Sequence, residues 1–203
     1  MKNKINKNTE SLILEAAKSE FQSKGMEGAR MQNIADEAGI NKAMLHYYYR
    51  SKQLLFEAVF KNAFSLLAPQ LNTILNDDSS IEEKVRSFSS NYISFIIQHP
   101  YLPNFIIQEL NRNPAFMLKM KENSGFPNLE KFKKQVGVEV AKGFIRKISA
   151  EQLFINILAL NVFPFVAKPL IKGLIAVDDE AFQQIIAERK TEVANFIINS
   201  IKI

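Results

Sequence analysis

Lys42, His46, Tyr47, Tyr48, Arg50 and Lys52 crowd into one short interval of the chain, and their side chains share an affinity for polyanions. Ammonium and guanidinium groups neutralise phosphate, while a phenol or an imidazole can bond a phosphate oxygen or a base edge. No acidic residue stands between Glu37 and Glu57 to oppose them. Such chemistry needs a rigid support that turns these groups outward together, and the flanking residues supply one. Ile34 and Ala38 sit i, i+4 on one face of a short helix, and Ala35 between them is small enough to let a second helix approach. Gly39 can take the left-handed conformation that ends that helix, after which Ile40 turns back toward the core. Asn41 is the natural N-cap of the next helix, and Leu45 anchors it to the first. Residues 31–52 are therefore predicted to form a helix-turn-helix with Ala43, Met44, His46 and Tyr47 pointing outward.

Composition sets the frame for that motif. The chain has 203 residues, 47% of them hydrophobic, and a net charge of +5. Residues 1–60 hold nine basic against seven acidic side chains and the remainder seventeen against fourteen. Basicity is thus spread evenly, and the local gap in acids carries more weight than the total. The length suits one medium domain or two small ones with a sizeable core. Without cysteine there is neither a disulfide framework nor thiolate chemistry, which fits a reducing, cytoplasmic setting. The basic start (Lys2, Lys4, Lys7) is followed by an apolar run that Glu15 interrupts, so it does not read as a secretory signal. Residues 152–167 form the longest uncharged stretch, but they include Asn156, Asn161 and Pro164 and fall short of the roughly 20 apolar residues that span a bilayer. A buried helix, not a membrane segment, is expected there.

Helical periodicity recurs through the chain without sustained alternation, which predicts an all-α fold. A first helix is expected from a Thr9 cap through Ile13, Ala16, Ala17 and Phe21 to about Gly25, closing a three-helix unit. Ser51 caps a fourth helix, predicted to reach about Ile74 and to connect the two halves. Ser79 with Glu82 reads as a capping box for the next helix, and Ser149 with Gln152 as a second one. Five or six helices follow residue 80, the last capped by Asp178 or Asp179 and ending near Lys202. Twelve of the sixteen phenylalanines lie from Phe88 onward, which core packing explains and which a ligand cavity between helices would also explain. His99 and Glu109 are the nearest approach to a polar pair in this half. With only two histidines, no HExxH and no glycine-rich phosphate loop, neither metal, cofactor nor enzymatic chemistry is expected. His99, before Pro100, reads more simply as a helix C-terminal residue.

The run ILEAAKSEFQSKGMEGARMQNIADEAGINKAMLHYYYRSKQLLF resembles the tetracycline-repressor-like (TetR/AcrR) transcriptional regulators in its paired alanines, Phe21, Gly25, Ile34, Ala35, Ala38, Gly39, Leu45, the tyrosine cluster and Lys52. Beyond residue 80 only helical layout and length agree. The resemblance implies an N-terminal DNA-binding domain over 7–67 and an effector-binding and dimerisation domain over 68–203. It implies that Lys42, Ala43 and Met44 open a recognition helix, with His46 and Tyr47 one turn along, Tyr48 on the DNA backbone, and Arg30, Gln32 and Lys52 at its margins. Tyr49 takes a position that is a core phenylalanine in many members. Ala29 and Arg30 replace the usual hydroxyl cap of helix two, and Arg30 is offered to a phosphate instead. A palindromic double-stranded operator bound by a homodimer is implied, with residues 152–167 (Leu153, Ile157, Leu160, Phe163) and 179–202 (Ile185, Val193, Phe196, Ile197, Ile201) as the dimer helices. A small, largely apolar effector is expected to release the operator, lined by Phe95, His99, Phe105, Glu109, Phe116, Met120 and Phe132. The competing reading is a helical ligand-binding or protein-interaction module whose helix-turn-helix no longer reads DNA.

Overall fold

A computed structural model of the chain describes residues 2–100, 102–114 and 127–203. Every regular element among them is a helix: α1 (Lys2–Gly28), α2 (Met31–Glu37), α3 (Lys42–Tyr48), α4 (Lys52–Asn76), α5 (Ile81–Gln98), α6 (Leu102–Arg112), α7 (Glu130–Ala141), α8 (Ala150–Val166), α9 (Lys168–Ile175) and α10 (Asp179–Ile201). The all-α expectation holds. Two compact units divide the chain, the first reaching Ser65 inside α4 and the second running from Leu66 to Ile203. Phe116 and Met120 lie outside the described residues.

In the first unit α1 starts at Lys2, so Thr9 is an interior residue and not a cap. Nothing between residues 2 and 8 is a proline or glycine that would stop a helix. Gly25 breaks the helix at φ 67°, where a side chain would be strained. Ile13, Ala17, Ile34, Ala35, Leu45, Leu55 and Phe60 are sealed from solvent, and Phe21 meets Phe56 edge-on at 5.0 Å.

In the second unit α5 and α10 form the most extensive helix pair, and α8 packs against both as well as against α6, α7 and α9. Val85, Ile93 and Ile96 of α5 share this unit's core with Leu153 and Ile157 of α8 and Val193, Ile197 and Ile201 of α10. Those last five, expected on a dimer face, are instead buried by packing within the chain. Phe163 and Phe196 do remain exposed, joined by Ile155.

Caps fix the helix ends. The box that opens α5 is built from Ser80 and Glu83, one residue on from the expected Ser79 and Glu82. Ser79 is withheld because its backbone N–H and hydroxyl both donate to the Asp77 carboxylate. Ser149 caps α8 by accepting from the Gln152 N–H, and Asp178 caps α10 by accepting from Ala181 N–H. Pro164 lies inside α8 and cannot donate to the Leu160 carbonyl four residues earlier. The Arg189 guanidinium of α10 supplies the missing donor through Nη2 at 2.8 Å.

A buried cation performs a similar service for α4. Lys84, 2% exposed, donates to the carbonyls of Ile74 (3.1 Å) and Asp77 (2.8 Å) and to the Asp77 carboxylate, so α5 ties down the last turn of α4. Lys131 of α7 adds a bond to the Asn76 carbonyl at 2.8 Å. Lys84→Met fills the same space without donors. It is expected to lower the unit's stability by about 2 kcal/mol, the worth of charge-assisted bonds to buried carbonyls, and urea melts would register it.

Candidate functional site

The turn between α2 and α3 is built as its residues dictate. Gly39 sits at φ 67°, Ile40 N–H bonds the Ala35 carbonyl at 3.0 Å, and the Asn41 side chain accepts from Met44 N–H at 2.8 Å. Leu45 is fully buried and presses α3 onto α2, while Lys42, Ala43, Met44, His46 and Tyr47 are all exposed, Tyr47 at 81%. Successive helical residues turn by about 100°, so a single inward Leu45 leaves this flank free along the whole of α3.

The tyrosines divide between solvent and support. Tyr48 is half-buried and meets Tyr47 edge-on at 5.8 Å. Tyr49 does not join the core as expected of the equivalent phenylalanine. It is half-buried, because its hydroxyl must reach a partner, and donates to Glu10 Oε1 at 3.2 Å. Burial first, then the Glu10 carboxylate, push its pKa up to about 12.

Lys52 is also more than a surface cation. Its ammonium donates to the carbonyls of Glu27 (3.1 Å) and Ala29 (3.2 Å), so it ties the start of α4 to the segment that enters α2. Gln32 bonds Asp36 along α2, and the Arg30 side chain is exposed at the head of that helix.

The head of α2, whose N-cap Arg30 offers no side-chain cap, is tied down from another helix. Glu20 of α1, 5% exposed, accepts from Arg30 N–H (3.1 Å), from the Asn33 side-chain amide (3.0 Å) and from Lys24 Nζ (2.8 and 3.0 Å). Burial pushes its pKa upward, but the bonds from Lys24, Arg30 N–H and Asn33 outweigh it and hold the carboxyl below its ordinary 4.5. Reasoning from sequence passed over Glu20. Its signal was an acid on the buried stripe of Ile13, Ala16, Ala17 and Phe21, opposite a helix that lacks its own cap.

In the second unit Phe95, Phe105, Glu109 and Phe132 are buried and His99 is half-buried, its ring centroid 4.6 Å from that of Phe95. Phe132 meets Phe154 edge-on at 6.3 Å. A groove of about 880 Å³ opens elsewhere in this unit, lined by Ile97, Phe165, Phe182 and Ile186 among others. Among the described residues no three His, Asp or Glu side chains gather as a metal site would require, and no single helix is long and apolar enough to cross a membrane.

Residues 13–59 match the family described as bacterial regulatory proteins, tetR family. The chain is 34% identical over 77 residues to the HTH-type transcriptional regulator RutR of Escherichia coli, an alignment covering 36% of each protein. It is 42% identical over 60 residues to the HTH-type transcriptional repressor SCO4008 of Streptomyces coelicolor, covering 30% of this chain and 31% of that one. These curated relatives are thus matched over about a third of their length. A TetR-family transcriptional regulator from Haemophilus influenzae, HI0893, shares the fold with a TM-score of 0.63 at 16% identity, over 98% of this chain and 99% of that one.

Proposed function

On the premise that the chain belongs to the tetR family of bacterial regulatory proteins through residues 13–59, we propose that it is a DNA-binding transcriptional regulator, a repressor that grips a palindromic operator as a homodimer and is released by a small, largely apolar effector. The observation that carries this reading is the free flank of α3: five exposed side chains on a helix whose only buried residue is Leu45, with no acid among them. Lys42 is proposed to hold phosphate, Ala43 and Met44 to meet base edges or thymine methyls, and His46 and Tyr47 to bond bases or backbone. Tyr48, Arg30, Gln32 and Lys52 border the contact, with Lys52 acting chiefly by fixing the approach to α2.

One copy of so small a reader buries too little surface for tight binding, which favours two copies on a two-fold axis. Ile155 and Phe163 on α8 and Phe196 on α10 are exposed apolar side chains that a second copy would cover. The effector is proposed to enter the aromatic interior of the second unit where Phe95, His99, Phe105, Glu109 and Phe132 lie. It can release the operator only by binding the non-gripping geometry more tightly, at about 1.4 kcal/mol per tenfold shift. Selection of bound fragments from random duplex DNA tests the whole reading. Recovered sequences should converge on an inverted repeat with half-sites about one helical turn apart, bound with steep salt dependence. Recovery of no preferred sequence would leave a module that does not read DNA.

A further inference from the structure

The second unit holds an open groove and, one helical turn deeper, a buried polar layer. The groove of about 880 Å³ is formed where the end of α5, the end of α8 and the first turns of α10 meet, with Ile97, Phe165, Phe182 and Ile186 on its walls. Phe182 and Ile186 of the groove wall also belong to a buried apolar cluster with Ile93, against which the partly buried Phe165, Ile171 and Val177 pack. The same three helix faces run on beyond this cluster. Ser89 precedes Ile93 by four residues, Asn161 precedes Phe165 by four, and Arg189 follows Ile186 by three. Phe95 and His99 lie on a different side of α5, because two residues turn the helix by about 200°.

At the deeper level every polar group is held, and two atoms are left over. Asn161, 1% exposed, donates through Nδ2 to the Ile157 carbonyl at 2.7 Å and to Ser89 Oγ at 3.2 Å. Arg189 is anchored through Nη2 on the Leu160 carbonyl. Asn161 Oδ1 and Arg189 Nε are buried and have no hydrogen-bond partner among the described residues. One is an acceptor and the other a donor, and each side chain is fixed by its remaining bonds, so the two do not turn to each other. Leaving both unmade opposes folding, and an apolar pair of the same shape would avoid the penalty.

We infer that this layer and the groove above it form a binding site for a small amphiphile with a carboxamide head. The head's carbonyl accepts from Arg189 Nε, its N–H donates to Asn161 Oδ1, and its hydrocarbon body lies along Phe165, Phe182 and Ile186. A carboxylate would suit the guanidinium but would set its charge against Asn161 Oδ1, and an alkane would leave both atoms unpaired. Neither Asn161 nor Arg189 lines the groove itself, so entry of the head requires the half-buried Phe165 ring and the buried Ile93, Phe182 and Ile186 side chains to part. The site belongs to the second unit alone and stands whether or not the first unit reads DNA.

Calorimetric titration of the full chain with octanamide and with octanoate tests the inference. Octanamide is expected to saturate one site per chain, and octanoate to bind at least tenfold more weakly. Asn161→Leu and Arg189→Met should each lower octanamide affinity at least tenfold. Because Asn161 is buried and its replacement could disturb packing, Ile97→Trp, an exposed change at the groove mouth, should produce the same loss with the melting temperature unchanged. Absence of octanamide binding, equal affinity for octanoate, or indifference to Ile97→Trp would each overturn the site. Octanamide that splits an oligomer instead of saturating a single site would assign the groove to a second copy of the chain and overturn it as well.

Discussion

Replacing Lys42 and Tyr47 together by alanine is expected to weaken operator binding about a hundredfold, some 2.7 kcal/mol, while leaving the fold intact. Both side chains are exposed, Tyr47 at 81%, and neither supports α3, which rests on Leu45 and on the Asn41 cap. The melting temperature and far-ultraviolet dichroism should therefore match those of the parent. Because a dimer would present Lys42 twice, the log–log salt slope should become shallower by about 2 if each ammonium holds one phosphate. Lys42→Ala alone should carry that change in slope, and Tyr47→Ala alone should lower affinity with the slope preserved. Gel shifts at several salt concentrations separate the two contributions. Parent-like affinity in the double variant would remove the free flank of α3 as the reading surface.

Lys52→Ala would be a poor substitute for that experiment. Its ammonium holds the Glu27 and Ala29 carbonyls, so the variant would loosen the entry to α2 whether or not Lys52 ever meets DNA. Lost affinity in that variant would report a disturbed support as readily as a lost phosphate contact, whereas the exposed Lys42 ammonium makes no hydrogen bond or ion pair among the described residues.

What could be read from the sequence follows the distance over which each feature is decided. Gly39, Asn41 and Leu45 specify a turn, a cap and an anchor within seven residues, and all three do in the structure what their types predict. The α5 cap was displaced by one residue because Asp77 competes for Ser79, a contest between neighbours that a spacing rule does not weigh. Apolar stripes on α8 and α10 announced burial but not against what. Leu153 and Val193 went to the chain's own core, while Phe163 and Phe196 stayed outside, because a 3.6-residue period identifies a face and not its partner. Pro164 announces that the Leu160 carbonyl loses a donor. That Arg189, 29 residues away from Leu160, replaces it depends on how α8 and α10 meet. Among the proposed DNA contacts, exposure along α3 was legible, whereas the structural engagement of Lys52 and Gln32 was not.

Glu20 carries the second large effect, because it joins the stability of the first unit to the placement of α3. Glu20→Leu removes the acceptor of Arg30 N–H, Asn33 and Lys24 at once. The expected loss is about 2–4 kcal/mol, since three donors in part-buried bonds are left without their charged acceptor. Operator affinity should fall with it, for α2 is the surface on which Leu45 seats α3. Glu20→Gln separates charge from shape, keeping an acceptor oxygen but not the carboxylate. Because the folded carboxyl is held below its ordinary value of 4.5, its stabilising contribution is complete above that pH and fades as pH falls through the lowered value. The parent should therefore be more stable than Glu20→Gln at pH 7, and the gap in their urea midpoints should close progressively below about pH 4.5. A gap that persists undiminished at pH 3 would show that the carboxylate charge is not what holds the head of α2, and the steric fit of the side chain would then have to account for the difference.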